Sequence, residues 1–219
     1  MTKFETLIFI PEGSLLNEKV AERNALRQTL LALDREFGPA ERIKYTNLQA
    51  QVKFLKQDER IDLILQTFCA AELAEAHIIF TQKMAQQKQL IKDAIPVLDQ
   101  IQNKLNLILV AKEAKSVLTT RTAESELLNY FSTIYFKEDL TAAFPSKNVF
   151  MPIFHERPEL NPATSLVIGT SLVEEIQAAE NANLQSLWLA PKKVKIPITP
   201  HPTLHLNQLS DLLFYLKLS

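Results

Sequence analysis

Glycine is scarce in this chain: three occur in 219 residues, against about 7% in an ordinary globular protein. Gly38 precedes Pro39 and is expected to end a helix, which leaves Gly13 and Gly169 for tight turns elsewhere. Cysteine is scarcer still. Cys69 stands alone, which excludes an intrachain disulfide and fits a reducing compartment. Neither charge dominates: the net charge is −1 and the pI about 6.4, so nothing points to a nucleic-acid partner. The short basic run Lys192–Lys195 reads as a solvated loop. No apolar run approaches the roughly 20 residues of a membrane helix, and the run within Met1–Gly13 is too short for a signal peptide. The expectation is a soluble, cytoplasmic protein with no membrane partner. The hydrophobic fraction of 47% supports a sizeable core, in one domain or one domain with an inserted lobe.

What is present is organised around Ser165–Leu189. Ser165–Ile168 is a short apolar run suited to a strand buried on both faces. Gly169 permits a sharp turn, and Leu172, Ile176 and Ala179 then recur at helical spacing. Asn183 sits where a left-handed C-cap is needed, and Leu184–Leu189 is a second strand ending before Pro191. This is a βαβ unit with parallel strands.

Further strands are expected at Thr6–Ile10, Asn106–Val110 and Ser132–Phe136, with a last short strand and helix in the tail His201–Leu216. Between the first two strands the chain is helical. Leu26, Leu30, Leu33 and Phe37 make one apolar face before Gly38-Pro39. Ile43, Leu48, Val52 and Leu55 make a second, Ile61, Ile64, Leu65 and Phe68 a third, and Leu73, Ile79, Phe80 and Met84 a fourth. Asp93–Lys104 and Glu113–Tyr130 are further helices.

Four segments in order carry a family likeness. Pro11-Glu12-Gly13-Ser14-Leu15-Leu16 follows the first strand, and Ala111-Lys112 follows the second. Ala143-Phe144-Pro145-Ser146-Lys147-Asn148-Val149-Phe150 comes third, and Gly169–Asn183 with Trp188-Leu189 fourth. Together they resemble the motifs of the haloacid dehalogenase-like hydrolases, most closely the pyrimidine 5′-nucleotidase-like branch. The resemblance implies an α/β fold: a Rossmann-like parallel sheet with helices on both faces (residues 1–16 and 93–219) and an inserted helical cap (residues 17–92).

It also implies a chemistry: phosphoryl transfer to an aspartate and hydrolysis by water, with a second carboxylate as acid and base, a lysine on the phosphate and Mg²⁺ held by aspartates. The positions that match those roles are Ile10, Glu12, Ala111, Phe144, Thr170 and Glu175. Ile10 has no lone pair to attack phosphorus or bind metal. Ala111 cannot donate to phosphate, Phe144 carries no charge, and Thr170 is neutral where an anion is needed. Glu12 and Glu175 keep a carboxylate with one more methylene. Dehalogenation fails too, because it needs the same first aspartate. Ser14, Thr170 and Ser171 are hydroxyls near the expected pocket, but no histidine is placed by sequence to activate them.

The expectations are therefore no catalytic residue, no cofactor and no metal, with Ile10 and Phe144 filling the pocket mouth. Glu12 and Lys112 are expected to pair across adjacent strand ends. Three classes of function stay open. One is an interaction protein with a protein partner or a homodimer. Another is a binder of a small anionic ligand through Lys112, Ser171 and the helix start near Leu172. The third is a weak Mg²⁺-dependent phosphatase or nucleotidase. His201 and His205 share a metal-pair spacing, but proline between them argues against a helix and no third ligand is evident. His77 and His155 read as surface or capping residues, and Cys69 as packing.

Overall fold

Strict alternation along the first strand builds a core on two sides of one sheet. In the computed structural model, which describes residues 4–191, 193–194, 196 and 198–217, six strands are all parallel: β1 (Thr6–Phe9), β2 (Asn106–Val110), β3 (Thr133–Tyr135), β4 (Ser165–Gly169), β5 (Gln185–Leu189) and β6 (Leu204–Leu206). Their order is β3-β2-β1-β4-β5-β6, the doubly wound arrangement in which ligand sites form beyond the carboxyl ends of the strands. β1 is central, with Ile8 opposite Ile108 on one side and Val167 on the other.

Leu7 and Phe9 face Leu107, Leu109, Leu166 and Ile168 in one buried cluster. It is closed by α6 (Ala94–Ile101), α7 (Lys115–Thr122) and α10 (Asp211–Tyr215). Ile8 and Ile10 point to the other face, with Ile108, Val110 and Val167. That face is covered by α8 (Met151–Glu156) and α9 (Gln177–Asn181). Helices on both faces of a parallel sheet thus follow from central strands that are apolar on both sides. Asn183 takes φ 55°, the left-handed cap the sequence predicts after α9.

The chain divides into two compact units: Met1–Asn17 with Leu90–Ser219, and Glu18–Gln89. The second is helical: α2 (Glu18–Ala32), α3 (Pro39–Val52), α4 (Gln57–Cys69) and α5 (Leu73–Met84). Its core holds Leu26, Leu30, Leu48, Val52, Ile64 and Phe80, with Cys69 fully buried among them. Two details differ from the periodicity. α2 stops at Ala32 because Asp34 takes a left-handed φ of 55°, so Phe37 packs as a loop residue against Tyr45. Ile43 is 64% exposed and off the buried face.

Gln57–Met84 is long and apolar enough by composition to span a membrane, contrary to the absence expected from the sequence. It is not one straight rod. Cys69 (φ −135°, ψ 35°) and Glu72 (φ −115°, ψ 34°) leave helical space and separate α4 from α5.

Of the basic run, Lys192 and Lys195 lie outside the described residues. Lys193 is exposed, and Val194 packs beside Trp188 and Ala190.

Candidate functional site

At the carboxyl edge of the sheet the chain leaves β1, β2 and β4 through three neighbouring turns. After β1, the amide of Ile10 donates to the Ile168 carbonyl at 3.0 Å, and its carbonyl accepts the Ser14 hydroxyl. The short turn α1 (Pro11–Ser14) contains Gly13 at φ 92°. A Cβ there would lie 2.5 Å from the Thr170 hydroxyl, so close approach and left-handed backbone both require glycine. After β2 come Ala111, fully buried, and Lys112. After β4 come Thr170 and Ser171, then a π-helical turn Leu172–Ile176 leading into α9.

Glu175 is the hub. Its side chain is fully buried, and Oε2 accepts the backbone N–H groups of Thr170 at 2.6 Å and Ser171 at 3.0 Å. Oε1 accepts the Lys112 ammonium at 2.6 Å. Glu174 Oε2 lies 3.6 Å from the same ammonium. Glu12, 2% exposed, is held differently. Its Oε1 accepts the backbone N–H groups of Lys112 at 2.8 Å and Glu113 at 3.0 Å. The expected Glu12–Lys112 contact is therefore made to the Lys112 main chain, while the ammonium is bonded to Glu175. Two backbone donors leaving β2 saturate that carboxylate oxygen without a lysine.

Burial works against the charge on Lys112. The carboxylates of Glu175, Glu174 and Glu12 outweigh it and hold the ammonium above its ordinary pKa.

Ile10 is fully buried, in one hydrophobic cluster with Ile8, Val110, Tyr135 and Phe150, and Phe144 packs against that cluster. The Phe144 ring meets Phe150 edge-on at 6.1 Å between centroids. Lys147, three residues beyond Phe144, is exposed at the start of a 3₁₀ turn (Lys147–Phe150) capped by the Ser146 hydroxyl.

The structure thus gathers Glu12, Lys112, Thr170, Ser171 and Glu175 into one hydrogen-bonded group and sets Ile10 and Phe144 in an adjoining apolar one. Three of the four histidines are engaged elsewhere. His205 bonds the Ala190 carbonyl at 3.0 Å and stacks on Trp188, and His77 faces Asp62 at 3.2 Å. The amide of His201 donates to Glu180. Among the described residues no group of three or more His, Cys, Asp or Glu is arranged to hold a metal.

Four residues contribute in ways the sequence did not assign. Glu174, in the π-helical turn, lies 3.6 Å from the Lys112 ammonium. Glu113 pairs through Oε1 with the fully buried Arg121 at 2.6 Å, and Arg121 shares the buried face of α7 with Leu118 and Thr122, an i, i+3, i+4 spacing that was visible. The Trp188 indole donates to the Thr170 carbonyl at 2.9 Å and fixes the turn from below.

A family profile described as haloacid dehalogenase-like hydrolase matches residues 9–189. The chain is 26% identical over 238 aligned residues to a Bacillus subtilis protein named HAD-hydrolase YfnB, covering 100% of this chain and 97% of that one. It is 28% identical over 131 residues to the pyrimidine 5′-nucleotidase PynA of Streptococcus pneumoniae, covering 59% and 55%. Among solved structures, magnesium-bound YfnB superposes with a TM-score of 0.82 at 22% identity, over 97% of this chain and 98% of that one. CbbY from Rhodobacter sphaeroides in complex with phosphate gives 0.66 at 17%, over 98% and 99%. With a family match across residues 9–189, a parallel sheet and an inserted helical unit, this chain belongs to the haloacid dehalogenase-like hydrolases.

Proposed function

We propose that this chain is a family member that does not hydrolyse phosphate esters and acts through protein interaction. The observation that carries the reading is Ile10, an aliphatic side chain buried at the end of the central strand, where the family resemblance puts the nucleophile. It offers no electron pair for in-line attack. Losing one member of a cooperating catalytic set costs on the order of 10⁴–10⁶ in rate, and further losses do not multiply. The other matching positions point the same way. Ala111 gives no side-chain donor, Phe144 belongs to the apolar cluster, and Thr170 uses its N–H to hold Glu175.

The geometry favours interaction over capture of a small anion. Lys112 and the Ser171 N–H, the donors an anion would need, are bonded to Glu175. The partner is a protein, a second copy of the chain included, and the single buried cysteine accords with a cytoplasmic setting.

The test is phosphate release with Mg²⁺ over a panel of nucleotides and sugar phosphates, pyrimidine nucleotides foremost given the PynA likeness. The expected rate equals that of the protein-free control. Turnover abolished by Glu12→Gln or Glu175→Gln would instead establish a phosphatase with a rearranged site.

A further inference from the structure

The hydrogen-bonded group at the carboxyl edge of the sheet has a cation at its centre. Glu12 comes from the turn after β1, Lys112 follows β2, and Glu174 and Glu175 come from the turn after β4; the ammonium meets Glu175 at 2.6 Å and Glu174 at 3.6 Å, and the Lys112 main chain holds Glu12, so this one residue ties three adjacent strand ends together. The side chains of Lys112, Glu174 and Glu175 are 14%, 12% and 0% exposed. Charges this far from water must find partners inside the protein. The fit of a divalent ion can be read from the same atoms. The Glu175 Oε1 that would face it is 2.6 Å from Nζ, Glu12 Oε1 is occupied by two amides, and Ile10 supplies no side-chain oxygen. A second cation would meet the first, so the residues present do not fit Mg²⁺.

We propose that the Lys112 ammonium is a tethered cation among the positions to which the family resemblance assigns Mg²⁺. The chain then neither needs nor takes up a divalent ion, and its carboxylates become a metal site only when Lys112 is removed. This deepens the functional reading and rests on it for the idle chemistry, but the observation that carries it is the Lys112–Glu175 contact rather than Ile10. An ordinary surface salt bridge would behave otherwise, because its partners would rehydrate once the lysine was gone. Glu175 cannot rehydrate in place, since it is fully enclosed and bonded on its second oxygen to Thr170 and Ser171. Burial strengthens the attraction between its charge and any cation admitted beside it.

The experiment titrates the chelator-treated full chain with Mn²⁺, reading free ion by electron paramagnetic resonance and unfolding by the fluorescence of Trp188. Wild type and Lys112→Arg are expected to leave the free-ion signal unchanged at about 1 mM Mn²⁺, and Lys112→Met to bind one ion with a Kd at least about tenfold lower than any binding in wild type. At a hundredfold excess over that Kd, the Tm of Lys112→Met is expected to rise by about 5 °C while wild type stays put. If Lys112→Met is unfolded without metal, recovery of the folded Trp188 signal on adding Mn²⁺ supports the proposal, and failure to recover overturns it. A folded Lys112→Met that ignores Mn²⁺ overturns it, as does stoichiometric binding by wild type. Metal-independent phosphate release would sink only the functional reading, and Mn²⁺ binding by an inert wild type only this one.

Discussion

Gly169→Ala is expected to be among the most damaging single-methyl additions in the sheet unit. A Cβ at this position would stand 2.6 Å from Glu175 Oε2 and 2.8 Å from Glu175 Cβ, where ordinary contact begins at 3.4 Å. Glu175 must therefore retreat by about 0.8 Å at the carboxylate and 0.6 Å at its stem (3.4 less 2.6 and 3.4 less 2.8). The carboxylate has nowhere to go, with the Thr170 and Ser171 amides on one oxygen and Lys112 on the other. Losing two charge-assisted hydrogen bonds at about 1.5–3 kcal/mol each gives a destabilisation of roughly 3–6 kcal/mol. Trp188, the sole tryptophan, donates to the Thr170 carbonyl, so its fluorescence in urea reports on this turn directly. With a slope of about 2 kcal/mol/M, the midpoint should fall by roughly 2 M. Gly38→Ala is the internal control: its Cβ would meet only Glu41 Oε2 at 3.2 Å, the end of a flexible side chain. A cost below about 0.5 kcal/mol for Gly169→Ala, equal to that control, would falsify the view that Glu175 is locked.

Other perturbations follow from the same geometry. Ile10→Asp puts a carboxylate into the cluster of Ile8, Val110 and Phe150; it should destabilise the protein by about 3–5 kcal/mol in urea titration and leave phosphate release at background. At alkaline pH, Lys112 (raised by its three carboxylates against the cost of burial) and Tyr135 (raised to about 12 by burial and by its bond to Glu156) both hold their protons longer folded than unfolded. Both contributions are intact below about pH 10 and lost as pH rises through the folded values, about 1.4 kcal/mol per pH unit for each group between its unfolded and folded pKa. Tyr135→Phe should flatten the fall between about pH 10 and 12, measured by urea midpoints at stepped pH. In the helical unit, buried Glu22 accepts Tyr45 Oη at 2.6 Å and Gln49 at 2.7 Å and pairs with Arg60 at 3.0 Å. Glu22→Ala should cost about 3–5 kcal/mol, and Tyr45→Phe about 1–3 kcal/mol, in thermal or chemical unfolding followed by circular dichroism.

The central strands were legible because β1, β2 and β4 are largely apolar runs buried on both faces, and Asn106–Val110 falls where the sequence places it; the edge strands β3 and β6 are only half-buried. Helix ends were less so, because single backbone angles decide them. Glu126 at φ 52° and the turn before it break the expected helix Glu113–Tyr130 into α7 and a 3₁₀ turn at Leu127–Tyr130. At the site, sequence order was enough to bring the turns after β1, β2 and β4 to one edge. It did not determine which carboxylate Lys112 would reach, because that depends on amide directions. The backbone leaving β2 offers Glu12 two N–H groups, and the backbone leaving β4 offers Glu175 two more while leaving one oxygen for the lysine.

The wide turn at Leu172–Ile176 has its own consequence. The amides of Glu175 and Ile176 both aim at the Ser171 carbonyl, each at 3.1 Å, which accommodates one more residue than a regular coil would. Each residue of an α-helix advances the chain by about 100°, so trimming one position here would swing the acidic pair away from the lysine while every side chain remained present. Spacing, as much as composition, is what lets this loop close its grip, and a one-residue deletion would undo it without removing a single charge.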